Sequence, residues 1–192
     1  MNYLAHLFLS DGTPESLIGN LLGDFVKGSI ESIYSKEIIK GIYLHRKIDS
    51  YTDSHRIFRS SKRLIGIGRS RFSGIMIDVF YDRFLAQNWS NYSTISLNDF
   101  TNHVYKVLLE NKSILPERLK SILPDMIAHD WLASYRKIST IDRAINGLSR
   151  RIKRENNLFG GVEELIFNYQ QLQADFSAFF PELIDYKLTV SS

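Results

Sequence analysis

Apolar residues recur three and four positions apart through nearly the whole chain, which is the spacing of one face of an α-helix. Only four prolines occur among the 192 residues. Thr13 and Pro14 form a clear start signal, a capping side chain followed by proline at the first helical position. We therefore predict an all-α, single-domain, compact helical bundle over residues 1–192. Its helices, about seven, are predicted at 14–28, 35–53, 70–87, 100–109, 115–132, 140–152 and 161–179, the last ending at Pro181.

The composition excludes several classes of protein. The chain contains no cysteine, which excludes disulfide scaffolds, thiolate zinc sites, iron–sulfur clusters and cysteine nucleophiles. The formal net charge is +3, which is too small to indicate a nucleic-acid-binding protein. No apolar run approaches the roughly 18 residues that a membrane span requires, and the apolar N-terminal residues lack the basic flank of a signal peptide. The sequence therefore predicts a soluble cytoplasmic protein without a membrane span.

The second predicted helix carries three groups that can bind a metal ion or a proton. His45 and Asp49 are four residues apart, so they lie on one helix face. Asp53 is one further step along and is rotated by about 80° from His45, still within reach of a site near the helix end. An isolated His–Asp pair is more often an ordinary surface pair, but the third predicted helix repeats the pattern with two aspartates.

These two aspartates, Asp78 and Asp82, lie four residues apart among apolar residues. Stacked carboxylates repel each other, and burial raises the cost of an unpaired anion. An arginine, a lysine or a metal ion must therefore compensate their charge. Arg83 is adjacent in sequence but projects about 100° away from Asp82. A divalent cation shared with His45 and Asp24 would compensate the acids of both the second and the third predicted helix.

Asp24 lies in the first predicted helix beside two glycines, Gly19 and Gly23, which are four residues apart. Glycine costs a helix up to about 1 kcal/mol relative to alanine, so the pair indicates close approach of another helix or of a ligand. His6 is a weaker candidate, because a lone histidine on an apolar face is more often a hydrogen-bonded core residue than a ligand. Carboxylates and imidazoles without thiolates suit Mg²⁺, Mn²⁺ or Fe²⁺ and predict metal-assisted hydrolysis of a phosphoester.

Five ordered motifs resemble those of the acyl carrier protein phosphodiesterases, also called acyl carrier protein hydrolases. They are MNYLAHL (1–7), GNLLGDF (19–25), LHRKID (44–49), TDSH (52–55) and DVFYD (78–82). The resemblance implies an all-helical, HD-domain-like enzyme that depends on Mn²⁺, with Mg²⁺, Fe²⁺ or Co²⁺ as alternatives. It also implies hydrolysis of the 4′-phosphopantetheine group from holo acyl carrier protein, which yields the apo carrier protein and 4′-phosphopantetheine.

The resemblance assigns site residues by motif. The metal candidates are Asp24, His45, Asp49, Asp53, Asp78 and Asp82. The catalytic candidates are Asp24, His45, Asp49, Asp78, His55 and His6, with the last two as candidate general acids. Lys27 and Arg46 are candidate phosphate contacts, because they lie close in sequence to the metal candidates. Phe8 and Arg83 depart from the pattern, since many family members have histidine at these positions.

Residues 54–77 contain no acidic residue, and the basic stretch (residues 56–71) within them carries six cations. These cations are Arg56, Arg59, Lys62, Arg63, Arg69 and Arg71. Because acyl carrier proteins are acidic, the resemblance implies that holo acyl carrier protein docks on this stretch; a solvated face is the alternative. A second basic cluster, which is the less favoured candidate for this docking, consists of Arg150, Arg151, Lys153 and Arg154. Two other functions stay open: a metal phosphohydrolase acting on a nucleotide or another small phosphoester, and a non-enzymatic helical binding module.

Overall fold

The computed structural model describes residues 1–191, which fold into eleven α-helices without a β-strand. The helices are α1 (Tyr3–Phe8), α2 (Pro14–Leu22), α3 (Lys36–Ser54), α4 (Arg56–Leu64), α5 (Ser73–Gln87), α6 (Leu97–Glu110), α7 (Glu117–Ala128), α8 (Trp131–Ser134), α9 (Ile138–Arg151), α10 (Val162–Phe167) and α11 (Tyr169–Ser191). Short 3₁₀ helices cover Ile67–Phe72, Trp89–Asn91 and Lys112–Ile114. The predicted all-α class is therefore confirmed.

The starts of α2 and α3 follow the signals in the sequence. The hydroxyl of Thr13 accepts a hydrogen bond from the backbone N–H of Ser16, and Pro14 is the first residue of α2. Ser35 caps α3 in the same way through the N–H of Ile38. These hydroxyls satisfy N–H groups that have no partner within the first helical turn. Both predicted starts are confirmed.

The helices are more numerous than predicted. Helices α1 and α4 lie in segments for which no helix was predicted. The predicted helix 115–132 is broken between α7 and α8 at Asp130, whose φ of 42° is left-handed. The predicted helix 161–179 is broken at Asn168, between α10 and α11. Both breaks occur at residues that tolerate non-helical backbone and form turns by local hydrogen bonding.

The predicted helix end at Pro181 is wrong, because α11 continues through this proline. A proline inside a helix loses one backbone hydrogen bond and strains the preceding turn. Here Phe180 and Leu183, on either side of it, are fully buried in the core, and their burial favours continuation of the helix. Neither α11 nor any other helix of residues 1–191 combines the length and the hydropathy that a membrane span requires.

Helix α5 forms the centre of the bundle and packs against α1, α4, α9 and α11. Its buried Tyr81 and Phe84 meet the ring of Phe176 on α11, with ring centroids 5.4 and 5.9 Å apart. Tyr81 also contacts Phe179, with centroids 5.6 Å apart. These aromatic side chains therefore belong to the core. This packing fixes the helix that carries Asp78 and its neighbours.

Helices α2 and α3 approach each other through glycines. A Cβ atom on Gly19 would lie 2.8 Å from Cα of Gly41 and 2.3 Å from the carbonyl oxygen of Ile38. Real Cβ atoms do not come this close to backbone, so any larger residue would push the two helices apart. The predicted close approach of another helix at Gly19 is therefore confirmed. It brings the middle of α3, with His45, against the backbone of α2.

Candidate metal centre and cleft

Two helices bring two histidines and one aspartate together. His6 lies on α1, and His45 and Asp49 lie on α3. The imidazole rings of His6 and His45 are stacked, with centroids 3.6 Å apart. One ligand atom from each of the three residues lies within 4.8 Å of the other two. Ligand atoms this close together can bind one metal ion.

The backbone of α2 fixes the ring of His45. Its Nδ1–H donates to the carbonyl oxygen of Asn20 at 2.7 Å. In the neutral ring Nε2 then carries the lone pair, and this atom lies 3.1 Å from Asp49 Oδ2 and 3.8 Å from Asp24 Oδ1. A lone pair facing two carboxylates is unfavourable unless a proton or a metal ion lies between them. Gly23 leaves room for the ring, since a Cβ atom there would lie 2.2 Å from Cγ of His45.

Asp49 is the central acid of this cluster. Its Oδ1 accepts a hydrogen bond from Nε2 of His6 at 3.0 Å and another from the Met1 ammonium at 3.2 Å. Although burial opposes ionisation, the neighbouring rings of His45 and His6 and the Met1 charge hold the pKa of Asp49 well below its ordinary value. Burial and the neighbouring His45 lower the pKa of His6 to about 3. Near neutral pH, Asp49 is therefore ionised and His6 is uncharged.

The ammonium group of Met1 lies between Asp49 and Asp78. It is buried and is 3.0 Å from Asp78 Oδ1. Burial opposes its charge, but the attraction of Asp78 and Asp49 prevails and raises the pKa of the ammonium group to about 11. Burial raises the pKa of Asp78, although the ammonium group partly opposes this shift. The positive charge that the sequence requires beside Asp78 is thus provided, in this structure, by the Met1 ammonium group.

Asp82, on α5, binds the backbone at the N-terminal end of helix α1. Its carboxylate accepts hydrogen bonds from the backbone N–H groups of Leu4 at 2.8 Å and Ala5 at 3.0 Å. Asn2, the residue that precedes α1, makes no capping hydrogen bond with its own side chain, so Asp82 takes that role. Burial raises the pKa of Asp82 to about 7, although the two N–H groups oppose this shift. Asp82 therefore positions the helix that carries His6.

A cleft of about 940 Å³ opens beside the cluster. Two acids beside the cluster also line this cleft: Asp24, which lies 3.8 Å from Nε2 of His45, and Asp78, which the Met1 ammonium group links to Asp49. Helices α7 and α9 contribute four exposed arginines to its lining, which we call the arginine rim: Arg118, Arg143, Arg150 and Arg151. The volume falls in the range of pockets for small ligands, about 300–1,000 Å³.

Comparison with known proteins identifies the family. The family model for acyl carrier protein phosphodiesterase matches residues 1–183. The chain belongs to this family. Relatives named acyl carrier protein phosphodiesterase include those of Photorhabdus laumondii (31% identical, over 96% of this chain and 94% of the relative), Yersinia enterocolitica and Klebsiella pneumoniae (each 32% identical, over 96% of both chains). The match confirms the resemblance and the predicted enzyme class, a phosphoric diester hydrolase.

No solved structure matches the chain, so the HD-domain-like arrangement stays a prediction for this acyl carrier protein phosphodiesterase family member.

The two departures from the family pattern lie outside the His6–His45–Asp49 cluster. Phe8 packs edge-on against Trp89, with centroids 5.3 Å apart. Arg83 is buried and donates a hydrogen bond to the carbonyl oxygen of Arg136. Each side chain thus has packing or backbone contacts of its own.

Four other predicted site residues belong neither to the cluster nor to the cleft lining in the described part of this family member. Asp53 and Lys27 are exposed. Nε2 of His55 lies 3.1 Å from the carboxylate of Glu182 on α11. The guanidinium of Arg46 lies over a tyrosine ring of its own helix. The cluster and the cleft therefore bring together His6, Asp24, His45, Asp49 and Asp78 from the predicted set.

The basic stretch forms α4 and the 3₁₀ helix that follows it. Its Arg69 is paired with Glu164 at 3.2 Å. Within residues 1–191, none of its six cations lines the cleft. Docking on this stretch therefore stays a prediction.

The sequence indicated Arg150 and Arg151 of the arginine rim as a basic cluster, but it gave no signal for Arg118 and Arg143, which are brought to the cleft only by tertiary packing.

Proposed function

We propose that the chain is a metal-dependent phosphodiesterase that removes 4′-phosphopantetheine from holo acyl carrier protein and leaves the apo carrier protein. Family membership supports both the phosphodiesterase chemistry and the carrier protein as substrate. One observation carries the metal requirement: Nε2 of His45 faces the carboxylates of Asp49 and Asp24, an arrangement that a cation would stabilise. The neighbouring cleft is large enough for a small prosthetic group.

The donor set of the cluster fits a hard or borderline divalent cation. Imidazoles and carboxylates without thiolates suit Mn²⁺, Mg²⁺, Fe²⁺ or Co²⁺ better than structural zinc. His45 and Asp49 would hold the ion, with His6 and Asp24 beside them. Bound there, such an ion lowers the pKa of water and screens the negative charge that develops on the phosphate oxygens.

The chain's own residues have separate tasks around this centre. The Asn20 carbonyl holds the ring of His45 so that Nε2 points into the site. His6 donates to Asp49 and fixes the orientation of its carboxylate, as groups that support a metal ligand do. Asp24 borders both the cluster and the cleft, so it lies where a phosphodiester in the cleft would meet the site.

The proposed reaction is attack of water on phosphorus. The bond between phosphorus and the oxygen of the carrier serine breaks, and that oxygen leaves as the serine hydroxyl after taking up a proton. The water oxygen stays on the phosphate of 4′-phosphopantetheine. The carrier protein therefore keeps its own serine oxygen, and the arm leaves with its phosphate.

Hydrolysis of holo acyl carrier protein in ¹⁸O-labelled water tests the proposal. With Mn²⁺ present, mass spectrometry should show apo carrier protein with an unlabelled serine and 4′-phosphopantetheine that carries one ¹⁸O atom on its phosphate. Excess chelator should lower the rate by at least about 10³-fold, since a metal supplies several kcal/mol of transition-state stabilisation.

Three results would contradict the proposal. The first is retention of the arm on the carrier protein while nucleotides or other small phosphoesters are hydrolysed. The second is ¹⁸O in the serine of the carrier protein, which would show cleavage of the carbon–oxygen bond. The third is full activity of the chelated protein, which would remove the metal requirement.

A further inference from the structure

The arginine rim lines the cleft that lies beside the candidate metal centre. Asp24 and Asp78 contribute acidic side chains to the lining, and α7 and α9 contribute the four arginines. Tyr3, Asp24, Arg118 and Arg151 all line this cleft, and the guanidinium of Arg118 lies 5.3 Å from the ring centroid of Phe25, the residue that follows Asp24. Burial raises the pKa of Tyr3, Asp24 raises it further, and the two arginines oppose this shift. The cleft therefore carries acidic and basic groups in separate regions that adjoin near Tyr3.

The guanidinium groups of the rim lack anionic partners within the described residues. No ion pair includes any of the four in residues 1–190, whereas Arg69 elsewhere on the surface is paired with Glu164. Their contacts are weaker: Arg118 lies over the ring of Phe25, and Arg151 donates to the carbonyl oxygen of Gly147 at 3.2 Å. Each guanidinium has five N–H donors, so most of them are free to bind carboxylates or phosphates of a partner.

The size of the cleft decides which part of a protein substrate can enter it. A volume of about 940 Å³ holds a small ligand, but it does not hold a folded domain. A carrier protein must therefore stay outside and extend only its prosthetic arm into the cleft. The residues that contact its folded surface must then be exposed at the margin, and all four arginines of the rim are exposed.

We propose that the arginine rim is the docking surface for the carrier protein, whose carboxylate-rich face lies against the four arginines while its arm extends toward Asp24 and Asp78. This proposal rests on the proposed function, because it takes the carrier protein as substrate. It assigns docking to the surface that adjoins the centre, and the basic stretch of α4 becomes a competing surface that the same experiment tests. Opposite charges on the two proteins raise the rate of encounter and orient the partner.

Binding of apo acyl carrier protein, followed by fluorescence anisotropy at low salt, tests the docking surface. The apo form has no phosphodiester, so the measurement does not depend on hydrolysis. The double substitution Arg150→Ala, Arg151→Ala should raise the Kd by at least about tenfold, and added salt should weaken binding by wild-type protein. Arg118→Ala, on a different helix, should raise the Kd as well. For holo carrier protein, kcat/KM should fall by a similar factor in each variant.

The double substitution Arg56→Ala, Arg63→Ala provides the comparison on the basic stretch, since both residues are exposed on α4. We expect its Kd for apo carrier protein to change by less than about twofold. Circular dichroism of each variant confirms that it is folded. A larger loss of binding in this variant than in the rim variants would overturn the proposal, as would tighter binding of an oligonucleotide than of the carrier protein to the rim.

The docking proposal and the proposed function fail in different ways. If wild-type protein releases the arm but rim variants bind apo carrier protein as wild type does, only the docking proposal is overturned. If apo carrier protein binds in a rim-dependent way but holo carrier protein keeps its arm, the docking surface stands and the proposed reaction does not.

Discussion

The substitution Asp49→Asn is expected to lower the rate of arm release by about 10³-fold and to abolish stabilisation of the fold by Mn²⁺. Asp49 accepts a hydrogen bond from His6 at 3.0 Å and lies 3.1 Å from Nε2 of His45. Asparagine keeps the shape of the side chain, but it removes the negative charge and replaces one acceptor oxygen by a donor. Under the proposed function the loss would fall on the transition state, where a bound metal ion would stabilise developing charge.

Two measurements and a matched variant test this prediction. Mass spectrometry gives the rate, and thermal unfolding gives the dependence of Tm on the concentration of Mn²⁺. The Tm of wild-type protein should rise with Mn²⁺, because a ligand that binds only the folded state stabilises it by mass action. Asp53→Asn makes the same chemical change four residues along α3 at an exposed position, and its effect should be much smaller. Wild-type activity in Asp49→Asn, or greater damage by Asp53→Asn, would contradict the assignment.

The substitution Gly23→Ala is expected to displace the ring of His45 and to lower both stability and turnover. A Cβ atom at this position would lie 2.2 Å from Cγ and 2.3 Å from Cδ2 of the ring. The ring has little freedom to move, because it stacks on His6 and donates to the carbonyl oxygen of Asn20. Over-packing of this kind costs about 1–3 kcal/mol. Misplacement of a site group by about 1 Å costs roughly 10²-fold in rate.

Backbone strain does not contribute to the expected effect of Gly23→Ala, because the φ of −50° and ψ of −34° at this position suit alanine. Each kcal/mol should lower the Tm by roughly 2–4 °C in a chain of this size. Gly74→Ala on α5 is the matched control, since the nearest atom to its Cβ would be 3.9 Å away. Its Tm should stay the same or rise slightly, because alanine favours helix over glycine. Equal effects of the two substitutions would show that His45 is not confined as described.

The positions of the main helices could be predicted from the sequence, because local signals determine them. Helix periodicity located the main helices, and the capping signal at Thr13 and Pro14 located the start of α2. The breaks and continuations depend on tertiary packing, which periodicity does not report. Asp130 breaks one helix by taking a left-handed conformation, whereas Pro181 fails to break another because its neighbours are buried.

The candidate site could be predicted only in part, for a related reason. The spacing of His45 and Asp49 places both on one face of α3, so local geometry was sufficient for that pair. Asp82 has the same spacing from Asp78, yet its carboxylate binds backbone N–H groups of α1. Helical spacing alone cannot distinguish a carboxylate that faces the cluster from one that caps a neighbouring helix. The compensating charge at Asp78 comes from a backbone terminus, which side-chain patterns do not reveal.

The most direct test of the metal centre is the anomalous diffraction of Mn²⁺ in a crystal of the wild-type protein. We predict one strong anomalous peak within coordination distance of Nε2 of His45 and the carboxylate of Asp49, at the end of the cleft that Asp24 and Asp78 line. A peak held only by residues outside this cluster, or none at a concentration of Mn²⁺ that saturates activity, would contradict the account.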